Sequence, residues 1–311
     1  MAKWSTADIP AQSGRTVIIT GTGGLGYETA LELARKGADV TLAGRNAEKG
    51  RASVDAIRGQ VPGAKIAFAP LDLASLESVA GFASRYAEDH PSLDLLVNNA
   101  GVMSPPQRGT TRDGFEIQFG TNHLAHFALT AHLLPMLRRG ARPRVTNVAS
   151  GAGAWGKIDF DDLQWQKTYH PWRAYGQSKL ANLLFTFELQ RRSDANGWGL
   201  MANAAHPGYA RTELIPNGPG SNVLSTILGP FMSQTPAAGA LPQLFAATSP
   251  NEKPGAYYGP DGLFELVGAP KEVRGPKAAY DTAVARRLWD ASEQLAGVSF
   301  SAASIEAAPA E

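Results

Sequence analysis

Thr16-Val17-Ile18-Ile19-Thr20-Gly21-Thr22-Gly23-Gly24-Leu25-Gly26 is a β-branched run that breaks into closely spaced glycines. The residues that follow, as far as Lys36, repeat their apolar positions at helical spacing. An apolar strand, a glycine turn and an amphipathic helix make the first half of a β-α-β unit. Outward from this unit the same alternation recurs. Val40 to Ala43 reads as a second strand, ending at Gly44-Arg45-Asn46, with a helix to about Ile57. Ala64 to Ala69 is a third strand, ending in Leu71-Asp72-Leu73, and a helix spans roughly Leu76 to Glu88. Leu93 to Val97 is a fourth, ending in Asn98-Asn99-Ala100-Gly101.

A loop over 104–114 precedes a long apolar helix from about Phe115 to Arg139, which carries Asn122. Arg144 to Ser150 is a fifth strand, a glycine- and tryptophan-containing insert fills 151–173, and a long helix opens at Ala174. Leu200 to Ala205 is a sixth strand, ending in His206-Pro207-Gly208. Strands of four to seven residues alternating with longer helices require parallel pairing and right-handed crossovers. The expectation is an α/β, doubly wound parallel sheet in one domain over 1–300, with a disordered tail over 301–311.

Composition narrows the function. A chain of 311 residues suits one large domain, and a net charge of +1 argues against a nucleic-acid patch. No cysteine is present, which removes disulfides, thiolate metal sites and a cysteine nucleophile together. The histidines show no zinc-like grouping, and Asp159, Asp161 and Asp162 read as a solvated turn. The polar stretch 1–14 has neither a signal-peptide core nor a span of ~20 apolar residues, so a cytoplasmic protein without a membrane span is expected.

Several residues carry chemistry. Tyr175 and Lys179 are four apart, which on a helix puts a phenol and an ammonium on one face, with Leu180, Leu183, Leu184 and Phe187 as an apolar stripe. An ammonium beside a phenol favours the phenolate, so the pair can pass a proton at a carbonyl or alcohol oxygen. Gly21, Gly24 and Gly26 at the first strand–helix junction let backbone N–H groups approach a pyrophosphate. At the second strand end no carboxylate awaits ribose hydroxyls, whereas Arg45 offers a fork suited to a 2′-phosphate, favouring NADP over NAD. Asp72 and Leu73 could bracket an adenine. All these positions lie at the carboxyl ends of strands, where open α/β sheets bind ligands.

With these residues in place the chain resembles the short-chain dehydrogenases/reductases, from about Thr16 to Thr212. The matching positions are Thr20-Gly21 with Gly24-Leu25-Gly26, Asn98 to Gly101, Asn122, Ser150, Tyr175 with Lys179, and Pro207-Gly208 with Thr212. Asn122 to Phe127, Lys157 to Leu163 and Gln177 to Asn182 look like the retinol-dehydrogenase and protochlorophyllide-reductase-like branch. The resemblance implies a Rossmann-type oxidoreductase with Tyr175 as general acid/base and Lys179 lowering its pKa and holding the nicotinamide ribose. It places Ser150 on the substrate oxygen and Asn122 in a water-linked relay to Lys179. It implies cofactor contacts at Gly21, Gly24, Leu25, Gly26, Asn98, Ala100 and Gly101, and at Pro207, Gly208, Ala210 and Thr212 around the nicotinamide. It also implies a homodimer or homotetramer built on the helices around 115–137 and 174–192.

Three departures stand out. The first motif is one residue shorter than the family's T-G-x-x-x-G-x-G, so its turn must be tighter, with Gly23 a candidate to supply the freedom. Ala125 stands where the branch commonly has glycine, and Ser150 lies 25 residues before Tyr175, a spacing that matches the branch. The apolar stretch from Gly220 to Met232 falls where the family carries a substrate lid, about 213–236; a core or interface helix fits its pattern equally. Trp155 and Trp172 belong either near the pocket mouth or to packing.

The expected function is NADP(H)-dependent interconversion of an alcohol and a ketone or aldehyde on a lipophilic or aromatic small molecule, with NAD(H) possible. Reduction of an activated carbon–carbon double bond is the alternative. A non-catalytic nucleotide sensor would be expected to have a damaged Ser/Tyr/Lys set, and here the set is intact.

Overall fold

A computed structural model describes residues 3–210 and 233–300 of the chain. Eight strands form one sheet: β1 (Thr16–Thr20), β2 (Asp39–Gly44), β3 (Ile66–Pro70), β4 (Leu95–Asn98), β5 (Arg144–Val148), β6 (Met201–Ala205), β7 (Tyr257–Pro260) and β8 (Pro270–Glu272). Their spatial order is β3-β2-β1-β4-β5-β6-β7-β8. The first seven pair in parallel and β8 returns antiparallel along β7. β1 and β4 are neighbours although three helices and two strands separate them in sequence, so the strand order reverses beside β1. That is the switch point at which such sheets open a crevice.

The helices are α1 (Gly24–Arg35), α2 (Ala47–Gln60), α3 (Leu76–Asp89), the single turn α4 (Ile117–Phe119), α5 (Ala125–Leu137), α6 (Pro171–Asn196), α7 (Pro236–Thr248) and α8 (Thr282–Ala296). Side chains on α1, α2 and α7, such as Leu33, Ile57 and Leu244, share one apolar cluster with one face of the sheet. Phe82 of α3, Phe127 of α5, Phe185 of α6 and Trp289 of α8 share the cluster on the other face. With helices on both faces the parallel strands are buried twice over, and β1 from Val17 onward is wholly buried.

Local chemistry sets several boundaries. Asn46 caps α2 by accepting the N–H of Lys49, and Ser75 caps α3 by accepting that of Ser78. Pro171 starts α6, three residues before the expected opening at Ala174, because its missing N–H costs nothing at a first helical position. The expected single helix from Phe115 is broken: a π-turn, Gly120–Leu124, separates α4 from α5 and holds Asn122.

Among the described residues, two strands and two helices beyond the sixth strand carried no sequence expectation. α8 packs along α5 and α6, where Trp289 stands 5.0 Å from the ring of Phe127 and 4.4 Å from that of Phe300. α5 and α6 are the helices expected to join protomers. The expected lid over 213–236 lies outside the described residues up to 232, Thr212 and the tail 301–311 lie outside them too, and α7 begins at Pro236 with Thr235 as its cap.

Candidate active site

A cavity of about 860 Å³ opens along the carboxyl ends of β1, β4, β5 and β6. Gly21, Gly24 and Leu25 line it after β1, Ala100 and Gly101 after β4, and Ser150 after β5, together with Tyr175 and Lys179 of α6. Pro207, Gly208 and Ala210 close the far side. The catalytic candidates thus meet across 30 residues of chain because β5 ends at one side of the cavity and α6 runs past it.

The tight glycine turn works by close approach. Gly21 has φ of 92°, and a β-carbon there would stand 2.9 Å from the Asn99 amide nitrogen. A β-carbon on Gly26 would run into the Gly21 carbonyl oxygen, so α1 can start this near β1 only with glycine at that position. Gly23, expected to supply the conformational freedom, has an ordinary φ of −125° as the cap of α1; the left-handed residues are Gly21 and Gly24. No atom lies within 4 Å of where a Gly23 β-carbon would be, so the first turn of α1 is open to the cavity. The turn and its bare helix N-terminus fit the pyrophosphate of a dinucleotide.

Asn122 is fully buried behind the cavity wall. Its side chain accepts the Val102 N–H at 2.7 Å and donates to the Val102 carbonyl at 2.9 Å, holding the wall beside Gly101. Lys179 donates to the Val148 carbonyl at 3.0 Å and lies over the Tyr175 ring, 5.7 Å from its centre. Burial brings the Lys179 ammonium down to about 8. Burial also pushes the Tyr175 phenol up, and the Ser150 hydroxyl that bonds it pulls the other way. The shift therefore runs opposite to the expected lowering of Tyr175 by Lys179. Desolvation of the phenolate is the largest cause, and the ammonium lies over the ring instead of against the hydroxyl.

Other expected contacts sit elsewhere on the same edge. Asn98 is turned into the sheet, donating to Asn147 Oδ1 at 2.8 Å and Thr130 Oγ1 at 3.2 Å. It is still the last residue of β4, so its side chain and that of Asn99 point oppositely, and Asn99 takes the cavity wall. Arg45 is solvent-exposed at the end of β2. Asp72 accepts the Ala74 N–H and lies 3.7 Å from Arg112, and Leu73 is in the core. None of these three, nor Asn98, lines the cavity.

Sequence reading did not single out Thr20, His126, His206 or Glu265 as site residues. Thr20 accepts the N–H groups of Asn99 and Ala100, both at 3.0 Å. His206 bonds Glu265 at 3.0 Å across the far wall, where the carboxyl is held down by that histidine. Glu265 sits in a loop after β7, and no motif announces it. Trp155 and Trp172 line the mouth and are exposed, with Trp172 edge-on to Tyr175 at 6.1 Å. Among the described residues there is no cluster of His, Asp and Glu that could hold a metal, and no helix long and apolar enough to cross a membrane.

The sequence profile of short chain dehydrogenases matches residues 15–218. The chain belongs to the short-chain dehydrogenase family. It is 45% identical over 303 residues to human retinol dehydrogenase 13, covering 94% of this chain and 87% of that protein. The crystal structure of an uncharacterized protein from Mycobacterium Paratuberculosis superposes with a TM-score of 0.80 at 41% identity, over 96% of this chain and 99% of that one. A short chain dehydrogenase from Shigella flexneri complexed with NADP superposes at 0.61 and 26% identity, over 80% and 97%. The chain is an oxidoreductase of the retinol-dehydrogenase-like branch with a nicotinamide dinucleotide site.

Proposed function

We propose that the protein is an NADP(H)-dependent oxidoreductase that interconverts an alcohol with a ketone or aldehyde on a lipophilic small molecule. The observation that carries this reading is the convergence of Ser150, Tyr175 and Lys179 on the same cavity as the open helix start at Gly23 and Gly24. A bound reduced nicotinamide supplies the hydride. The protein's share is to hold the substrate oxygen and to move a proton. The Tyr175 hydroxyl, kept protonated by burial, gives its proton to the oxygen as negative charge grows there. Ser150 donates a second hydrogen bond to the same oxygen. Lys179, brought close to neutral pH, exchanges the proton that restores Tyr175.

The apolar mouth supports a lipophilic substrate. Met103, Trp155, Trp172, Tyr209, Phe264 and Leu266 line it, and few charges stand among them. A relative named retinol dehydrogenase points to the same class. The preference for NADP rests on Arg45 at the end of β2 and the lack of an acid there. The test is turnover of NADPH, NADH and their oxidised forms with steroid, retinoid and aryl carbonyl and alcohol panels. Alcohol product from a carbonyl, faster with NADPH, is expected. Saturation of a carbon–carbon double bond with the carbonyl intact would overturn the assignment.

A further inference from the structure

His126, on the first turn of α5, is buried and does not line the cavity. Its two ring nitrogens are both engaged. Nδ1 lies 3.1 Å from the main-chain carbonyl oxygen of Asn122, and Nε2 lies 2.9 Å from Thr20 Oγ1. A carbonyl oxygen can only accept, so Nδ1 carries the proton. Thr20 leads to the same answer independently. Its hydroxyl has two lone pairs and one proton, and the N–H groups of Asn99 and Ala100 occupy the lone pairs. The remaining proton points outward. Nε2 at 2.9 Å is a nearer acceptor than the Val97 carbonyl at 3.4 Å. The ring is therefore the neutral Nδ1–H tautomer, accepting from Thr20 and donating to Asn122.

This chain of bonds spans the two halves of the site. At one end Thr20 closes β1 and holds the Asn99-Ala100 turn, which lines the cavity. At the other end Asn122 grips Val102 on both its polar groups and sits beside Gly101 and the Lys179 ammonium. The π-turn over Gly120–Leu124 shifts the helix register here, with the Ala125 N–H reaching back to Gly120. A residue that clamps the Asn122 carbonyl at the end of that turn sets how Asn122 meets the wall.

We propose that His126 is a positioning residue that couples the dinucleotide-facing turn at Asn99-Ala100 to Asn122 and the proton-transfer end of the site. The proposal rests on the oxidoreductase reading above, and its predictions divide so that each can fail alone. Burial holds the ring well below the usual histidine range, at about 4, so it stays neutral through the working pH range. Asparagine at this position reaches about as far as Nδ1, and glutamine about as far as Nε2. His126→Asn keeps a donor for the Asn122 carbonyl and releases Thr20. His126→Gln keeps the Thr20 contact and releases Asn122.

The experiment measures NADPH affinity by quenching of tryptophan fluorescence, kcat with the best carbonyl substrate, and thermal stability, for wild type, His126→Asn, His126→Gln and His126→Leu. His126→Asn is expected to weaken NADPH binding about tenfold with kcat within threefold of wild type. His126→Gln is expected to lower kcat about tenfold with binding within threefold. Loss of packing alone would shift the melting temperature and move neither parameter selectively, so two variants of similar melting temperature with opposite splits support the proposal. Nitrogen NMR of histidine-labelled protein reads the tautomer without turnover, and a proton on Nε2 of His126 overturns the proposal whatever the reaction proves to be. It is also overturned if His126→Leu folds and binds NADPH as wild type does. If that variant does not fold, equal parameters in the Asn and Gln proteins overturn it. Absence of carbonyl turnover in wild type, with NADPH bound and the Nδ1–H tautomer present, would count against the reaction assigned above, while the affinity comparison would still judge His126.

Discussion

The ammonium nitrogen of Lys179 lies 5.7 Å from the centre of the Tyr175 ring, one turn further along α6 and buried at the cavity wall. A buried ammonium is a functional choice that costs stability. The folded pKa, about 8, is below the unfolded value of 10.5, so between these the unfolded chain binds the proton more readily and stability rises with pH. Below pH 8 the whole burial cost is felt. Lys179→Met should therefore abolish turnover yet stabilise the protein at pH 7, by up to about 3 kcal/mol at about 1.4 kcal/mol per unit. The Val148 carbonyl keeps the Asn182 amide as a donor, so the substitution leaves no orphan. Urea denaturation at pH 7 and pH 10 checks this: the gap between variant and wild type should narrow at the higher pH.

Tyr175→Phe removes the hydroxyl and leaves the ring against Trp172. A loss of about 10²–10⁴ in kcat is expected, with NADPH affinity unchanged within about twofold. Steady-state kinetics beside a fluorescence titration measure both, and a variant keeping a tenth of wild-type turnover would remove Tyr175 from the proton transfer.

The glycine turn separates fold from binding. Gly26→Ala puts a methyl group into the Gly21 carbonyl, two backbone atoms with nowhere to go, and should destabilise by about 1–3 kcal/mol. Gly23→Ala meets no atom within 4 Å and needs no unusual φ, so its melting temperature should stay near that of wild type. Its methyl group would stand where the pyrophosphate approaches, and dinucleotide affinity should fall about tenfold. Calorimetry and titration on the two variants check this, and an unchanged dinucleotide affinity in Gly23→Ala would show that the turn is only structural.

Arg45 is exposed at the end of β2 and clear of the cavity wall, so its substitution should not disturb the Ser150, Tyr175 and Lys179 arrangement. Arg45→Asp is expected to raise the KM for NADPH by about tenfold or more and to lower that for NADH, with kcat little changed. Comparing kcat/KM for both dinucleotides decides it, and an unaltered ratio would leave cofactor choice to other residues.

His123 and His126 are buried and neutral, at about 3 and about 4 against the ordinary 6.5. Each folded value lies below the unfolded one, so the unfolded chain takes up protons first as pH falls. Stability is full above pH 6.5 and is lost progressively below it, by about 1.4 kcal/mol per pH unit for each histidine. His123→Gln retains a polar partner for Ser292, 2.9 Å from Nε2, and should flatten that slope by about one proton between pH 6 and pH 4. Guanidinium melts across this range measure the slope, and an unchanged value would show that the acid limb belongs to other groups.

Strand and helix order through β6 was legible because parallel strands buried on both faces must be apolar runs, and the helices between them must be amphipathic. Residues brought to the cavity by an uninterrupted local motif were legible too: Gly21, Gly24, Tyr175 with Lys179, and Pro207-Gly208 owe their spacing to a single turn or helix. Asn98 turns its side chain into the sheet while Asn99 lines the cavity, since a motif names four residues and only the pleat at the strand's end decides which of them turns inward. The direction of the Tyr175 shift depended on how much protein covers the phenol, which no spacing records.

What the chain's residues determine alone is therefore the repeating β-α order and the reactive groups that local geometry sets side by side. What only the tertiary structure decided is non-local. It is seen in α8 laid over α5 and α6, in Glu265 reaching back to His206, and in Thr20, His126 and Asn122 joined through one imidazole. Thr20 and His126 are separated by 106 residues, and such a pairing exists only where the sheet brings a strand end and a helix within hydrogen-bond reach.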